Sequence, residues 1–390
     1  MAQNFAEFKN AICVGDLGIV ALESCSELGK KVDEYIVDWR KERSAVLQTV
    51  GETVKDSYLI NSKCSRFGSG EAKGQIFDTI RGKDMYFLVD VTNYSIQYKL
   101  CGQMNRMSPD DHYADLKRLI AATAGKARRI NVIMPFLYES RQHKRSSRES
   151  LDCAVMLQEL HAMGVENIIT FDAHDPRVQN AIPCSGFESL QASYQYIKGL
   201  FQNVPDLIVD KDHMMIISPD EGAMGRAVYY SNVLGIDMGM FYKRRDYSRI
   251  VDGRNPIVAH EFLGTSVEGK DVLIIDDMIS SGESMLDVAK ELKNRGAKRV
   301  FVAATFGLFT NGLKLFDEYY EQGLISKVLT TNSIYQTPEL LEKPYYINTD
   351  MSKYIALLID KLNYDHSISD LLDPYQKIKG AMEFYNKYHH

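Results

Sequence analysis

The residues best equipped for chemistry lie in DVLIIDDMISSGESMLDVAK, residues 271–290. Asp276 and Asp277 can accept hydrogen bonds from vicinal hydroxyls, while Ser280, Ser281, Gly282 and Ser284 can offer hydroxyl and backbone N–H groups to a phosphate at a helix N-terminus. A sugar phosphate would satisfy both sets. The same letters also describe an ordinary strand, turn and helix capped by Ser284, because serine caps are common. Further candidates surround this stretch. LYESRQHKRSSRES gathers Arg141, Gln142, His143, Lys144, Arg145 and Arg148; FDAHD brings Asp172, His174 and Asp175 together; Asp220 and Glu221 precede Gly222; Lys243, Arg244 and Arg245 stand in a row. Singly, each group has a plain structural explanation as solvated surface, hydrogen-bonded histidine or helix cap. Together they supply cations for a polyphosphate, oxygen and nitrogen donors for a divalent ion, and a sugar-phosphate cradle, which is the equipment of phosphoryl transfer.

These residues need elements to hold them. Val272–Ile275 is a short β-branched run of the kind found in a parallel strand covered on both faces. From residue 110 the pattern alternates: helix in DDHYADLKRLIAATAG, strand in INVIMPF, helix in SLDCAVMLQELHAMG, strand in NIITFD. It continues through QASYQYIKGLF, HMMIISP, MGRAVYYSNVLG, MGMFYK, the 271–290 stretch and RVFVAATFG. Such alternation predicts an α/β fold of two successive halves joined near Cys184–Ser189, with ligands beyond the carboxyl ends of the strands. Every candidate except Glu71 and Phe67, which belong to the glycine-rich CSRFGSGEAKGQI, follows a predicted strand. Residues 26–58 read as amphipathic packing helices, with Leu28, Val32, Tyr35, Ile36 and Trp39 at helical spacing. The segment from Lys243 to Gly269 shows little periodicity, and its basic start predicts an active-site loop.

Length and composition bound the rest. A chain of 390 residues predicts two domains. A 45% apolar, 25% charged composition is that of a soluble enzyme, and a net charge of −6 argues against nucleic-acid binding. Cys13, Cys25, Cys64, Cys101, Cys153 and Cys184 are scattered, which fits reduced thiols in a cytoplasm better than a zinc site or a disulfide framework. No apolar run reaches the ~18 residues of a membrane span, and MAQNFAEFKN has no signal-peptide pattern.

In order along the chain, RFGSGE (66–71), PFLYESRQ (135–142), SSRES (146–150), FDAH (171–174), SPDEGAMGRA (218–227), YKRRD (242–246), IDDMISSGES (275–284) and TTNSI (330–334) resemble the ribose-phosphate pyrophosphokinase family. The resemblance implies two tandem phosphoribosyltransferase-like α/β domains with mainly parallel sheets, 1–187 and 188–390. It implies transfer of the β,γ-diphosphoryl group of ATP to ribose 5-phosphate, with Mg²⁺, in a cytoplasmic homo-oligomer of dimer units or a hexamer, in which a neighbouring subunit completes the ATP site. Position by position, Phe67 and Glu71 match the adenine region, and Arg141, Gln142 and His174 the ATP contacts. His174 and Asp220 match metal-linked positions, and Lys243 and Arg245 the catalytic basic pair. Asp276 and Asp277 match the ribose-hydroxyl carboxylates, and Ser280, Ser281, Gly282, Glu283 and Ser284 the 5-phosphate loop. The chain differs from the family pattern at Ser69, His143 and Ser280, where acids are usual, and at Glu283, where a small residue is usual and whose carboxylate is expected to point away from a phosphate. It is also longer near 40–60 and 100–115. Two other readings use the same residues: a phosphoribosyltransferase, which needs no second polyphosphate clamp, and a non-catalytic paralogue that regulates an active synthetase.

Overall fold

The computed structural model describes residues 8, 11–47, 54–245 and 257–389, the side chains of 243–245, 257–260 and 386–389 excepted. Chain contacts separate two compact units: Met1–Gln191 with Asn332–Tyr335 and Asp350–Leu372, and Ala192–Thr331 with Gln336–Thr349 and Asp373–His390.

The first unit begins with β1 (Asp16–Ala21) and α1 (Ser26–Leu47), then a hairpin of β2 (Ser62–Arg66) and β3 (Ala72–Ile76), and β4 (Lys83–Leu88). A second hairpin, β5 (Gln97–Leu100) and β6 (Gln103–Arg106), turns through Cys101 and Gly102, both at positive φ as a tight two-residue β-turn demands. It leads to α2 (Pro109–Ala122), whose start is fixed by a reciprocal Ser108–Asp111 capping box and Pro109. β7 (Arg129–Ile133), α3 (Asp152–Ala162), β8 (Asn167–Phe171) and β9 (Gly186–Leu190) complete the alternation. The main sheet is parallel in the order β1-β4-β7-β8-β9, and Met85–Leu88, Val132 and Ile169 are sealed in its core.

The second unit runs α4 (Ser193–Asn203), β10 (Met214–Ser218), α5 (Met224–Leu234), β11 (Asp237–Arg245), β12 (Ile257–Leu263), β13 (Asp271–Ile279), α6 (Glu283–Asn294), β14 (Arg299–Gly307), α7 (Lys314–Glu321), β15 (Lys327–Thr331), α8 (Pro338–Leu341) and β16 (Tyr346–Thr349). Its seven-stranded sheet has the order β12-β11-β10-β13-β14-β15-β16, antiparallel only between β11 and β12. β13 lies at its centre, its Val272–Ile275 run fully buried as the apolar pattern requires. Leu286, Val288 and Leu292 of α6 cover one face of this sheet with Phe316 of α7. The chain then returns to the first unit with α9 (Ser352–Asn363) and α10 (Ser369–Leu372), and closes in the second with α11 (Tyr375–His389).

The α/β architecture is as the alternation requires, with three local corrections. Residues 16–21 form strand β1; residues 48–53 of the segment read as helical lie outside those described, and the chain near Tyr58 is extended, pairing through the Ile19 N–H to the Tyr58 carbonyl and the Ile60 N–H to the Ile19 carbonyl. The 184–189 join contains β9, an edge strand of the first sheet rather than a linker. Of the segment read as an active-site loop, residues 257–263 form a strand paired with β11, and residues 246–256 lie outside those described.

Candidate active site

In the second unit, β13 runs on past the end of β10, still paired with β14, and the candidate residues lie along that extension. Asp276 is half-buried and Asp277 is 3% exposed, because the strand continues through both, pairing Asp276 with Ala304 and Ile279 with Gly307 of β14. The Asp277 N–H donates to Asp276 Oδ1 at 2.8 Å, and Arg226 of α5 lies with Nη2 3.9 Å from Asp277 Oδ2. Burial, and then the adjacent Asp277 charge, push the Asp276 carboxyl up to about 8. A carboxyl raised in this way keeps its proton more readily than an ordinary aspartate, and when protonated it can donate to hydroxyl groups as well as accept from them.

Ser280 and Ser281 follow, half-buried, and Gly282 caps α6 with φ +86°. A Cβ at Gly282 would sit 2.3 Å from Phe316 Cζ, so glycine is required on both counts. Its carbonyl takes the Met285 and Leu286 N–H groups, which makes Gly282, not Ser284, the cap. Ser284 instead lies in the exposed first turn of α6. The turn's backbone amides face the helix start, where the macrodipole favours an anion. Glu283 is exposed, its Oε1 accepting from Asn311 Nδ2 at 3.1 Å. The loop after β14 braces this turn: the Leu308 N–H donates to the Ile279 carbonyl and the Thr310 N–H to the Ser280 carbonyl. The linear sequence carries no signal for the Asn311 contact, whereas Arg226 was within reach of it as part of SPDEGAMGRA.

Asp220 follows β10 and shapes the start of α5, its Oδ1 accepting the N–H groups of Gly222 at 2.9 Å and Ala223 at 3.2 Å. A carboxylate anchored through one oxygen has the other to present to a cation. Lys243 and Arg245 end β11, opposite His260 and Ile257 of β12; their side chains are outside those described.

In the first unit the loops after β7 and β8 meet. Exposed Arg141 and Gln142 lie in the first, and His143 joins it to the second through an Nδ1–Asp175 Oδ2 contact of 3.0 Å. His143 packs edge-on against His174, ring centroids 5.4 Å apart. Asp175 also accepts from Arg177 N at 3.0 Å and Arg177 Nε at 2.9 Å, and these bonds hold its carboxyl well below the usual carboxylate range. Burial lowers the His143 pKa against the opposing pull of Asp175. The structure thus gathers Arg141, Gln142, His143 and His174 at one end of the sheet. A cavity lined by Thr123, Arg128, Met163 and Glu166 lies instead around the start of β7. Phe67 and Glu71 stand on a different element, the β2–β3 turn, where Phe67 is 56% exposed and Ser69 Oγ donates to Glu71 Oε2 at 2.9 Å. His174 belongs to the first unit and Asp220 to the second. Among the described residues, no group of three or more His, Cys, Asp or Glu is placed to hold a metal ion.

Residues 17–164 match the family model for the N-terminal domain of ribose phosphate pyrophosphokinase, and residues 185–343 match that for the phosphoribosyl transferase domain. The chain is 28% identical to the ribose-phosphate pyrophosphokinase of Vibrio parahaemolyticus over 324 residues, covering 81% of this chain and 92% of the relative. It is 25% identical to that of Chlorobaculum tepidum over 358 residues, covering 91% and 94%. The crystal structure of phosphoribosylpyrophosphate synthetase from Mycobacterium smegmatis superposes with a TM-score of 0.68 at 20% identity, covering 89% of this chain and 98% of that one. That likeness establishes the two-domain fold with mainly parallel sheets.

Proposed function

This chain belongs to the ribose-phosphate pyrophosphokinase family, and from that membership we propose that it transfers the β,γ-diphosphoryl group of ATP to the 1-hydroxyl of ribose 5-phosphate, giving phosphoribosyl pyrophosphate and AMP. The observation that carries this reading is the β13 end, where the adjacent Asp276–Asp277 pair leads directly into the Gly282 turn and the start of α6. Asp276 and Asp277 take the ribose hydroxyls, and Ser280–Ser284 take the 5-phosphate, with the Glu283 carboxylate bonded to Asn311. Arg141, Gln142 and His174 contact ATP, and Phe67 with Glu71 receives the adenine. Lys243 and Arg245 neutralise charge on the transferred and leaving oxygens, which is most of what phosphoryl transfer asks of a protein.

The donor set fits Mg²⁺ as an ion that arrives with the polyphosphate: single donors and no protein cage among the described residues suit a cation that keeps its waters. By the family resemblance His174 and Asp220, each on its own unit, are the residues assigned to the ion, which would neutralise polyphosphate charge when bound. No helix among the described residues is long and apolar enough to cross a membrane. A cytoplasmic homo-oligomer without nucleic-acid partners completes the proposal.

Incubating the purified protein with ATP, Mg²⁺ and ribose 5-phosphate, and resolving AMP and phosphoribosyl pyrophosphate by chromatography, tests it. AMP formation that requires ribose 5-phosphate is expected. Consumption of phosphoribosyl pyrophosphate with a nucleobase, and no AMP, would replace it with the transferase reading.

A further inference from the structure

The β2–β3 hairpin is a two-stranded sheet outside the main one, and such hairpins hold poorly alone. Its strands are secured on α2 from the middle to the turn: a Cβ at Gly74 would lie 2.8 Å from the Arg118 backbone, and Arg66, beside the turn, pairs with Asp115 at 2.8 Å. Its tip is Phe67–Glu71, with two glycines in five residues, closed by a Phe67 N–H bond to the Glu71 carbonyl and a Gly70 N–H bond to the Phe67 carbonyl. A second element holds that tip. The Cys101 N–H, at the turn of the β5–β6 hairpin, donates to the Gly68 carbonyl at 2.8 Å. Leu100 lies directly on Gly70, where an added Cβ would come within 2.6 Å of Leu100 Cδ1 and 3.9 Å of the Tyr98 ring. Tyr98 lies beneath the Arg66 guanidinium, 4.8 Å from its ring centroid, and its hydroxyl donates to Asp111 Oδ1 of α2 at 3.3 Å. A continuous path thus runs from α2 through Tyr98 and Leu100 to the backbone on either side of Phe67.

We propose that the β5–β6 hairpin holds the Phe67–Glu71 turn in its base-receiving shape, with Leu100 as a positioning residue and Tyr98 as its anchor, and so sets the discrimination between adenine and guanine nucleotides. The physical reason is preorganisation. A glycine-rich turn left alone pays its ordering entropy each time a nucleotide binds, and a turn already pinned at Gly68 and Gly70 does not. Discrimination follows because a purine edge is told apart only when the polar groups facing it stand in fixed places. The Ser69–Glu71 bond supplies such a group, and the hairpin fixes the backbone that carries it. The proposal rests on the reading of Phe67 and Glu71 as the base subsite.

Steady-state kinetics with ATP and GTP on four proteins separates the two ideas. Leu100→Ala is expected to raise KM for ATP about fivefold and to narrow the ATP-to-GTP ratio of kcat/KM, leaving kcat and KM for ribose 5-phosphate within about twofold of wild type. Leu100→Met, which refills the space over Gly70, is expected to restore both. Wild-type KM and discrimination in Leu100→Ala, beside a raised KM for ATP in Phe67→Ala, would overturn the role of the hairpin and spare the subsite. A silent Phe67→Ala would remove the base subsite and the hairpin's role with it. A Leu100→Ala protein that loses kcat and both substrates' affinities together would show a general defect, which also overturns the proposal.

Discussion

Asp276 shows how far a residue's neighbours change what its letter implies. In sequence it is one of two acids, and in the fold it is pressed beside Asp277 at a strand end, where burial and the Asp277 charge push its carboxyl up to about 8. The sign of the linkage is definite: a raised folded pKa means stability that is complete below the ordinary 3.8 and is lost as pH climbs to about 8. Asp276→Asn cannot ionise, so its thermal stability is expected to gain on wild type progressively across that window and to level off above it, at the expense of ribose 5-phosphate affinity. Melting curves of both proteins at a series of pH values check this, and a constant difference would return Asp276 to an ordinary carboxylate. For Lys243, whose role comes from the family likeness, Lys243→Ala should lower kcat by about 10²-fold and change KM for ribose 5-phosphate far less. Unchanged turnover would remove it from the mechanism. At this scale the candidates were legible because acids, bases and a Ser-Gly loop carry their chemistry in their letters. Asn311 and the His143–Asp175 contact were not, since each joins residues dozens of positions apart or in separate loops.

Elements announced themselves in proportion to their burial on two faces. β7, β8, β10, β13 and β14 are dense apolar runs because helices cover both sides of them, and all were readable. β1, with Gly18 inside it, and β9 and β12, at sheet edges, have weaker patterns that local reading passes over. The turn between β13 and α6 is the element under tightest constraint. Gly282→Ala would force φ +86° on a residue with a Cβ and drive that Cβ into Phe316, so a loss of about 1–3 kcal/mol is expected together with a higher KM for ribose 5-phosphate. Urea unfolding and initial-rate kinetics measure the two effects. α9 is held differently, through charge. Its Asp360 is fully buried and takes Arg40 Nε at 3.0 Å and Arg43 Nη1 at 2.8 Å from α1, while Asn363 takes Arg40 Nη2 at 2.8 Å and donates to Asp84 at 2.9 Å. Asp360→Leu strands two buried guanidiniums, and a loss of about 3–5 kcal/mol in urea unfolding is the expected result.

For the whole molecule, the proposed Mg²⁺ arrives with the polyphosphate, which ties it to activity and not to the ligand-free fold. Removing Mg²⁺ with a chelator should stop AMP formation and leave the melting temperature of the ligand-free protein unchanged. A large fall in the melting temperature would reveal a structural ion. Reading the letters alone established the alternating α/β plan and named the strand ends where the proposed site lies. Both follow from local rules: apolar period, glycine and serine at turns, charge where strands stop. Three things waited for the folded chain. They are the return of residues 350–372 to the first unit, the meeting of the β2–β3 and β5–β6 tips, and the raised pKa of Asp276. Each depends on burial or on contact between distant segments, and a linear pattern contains neither quantity.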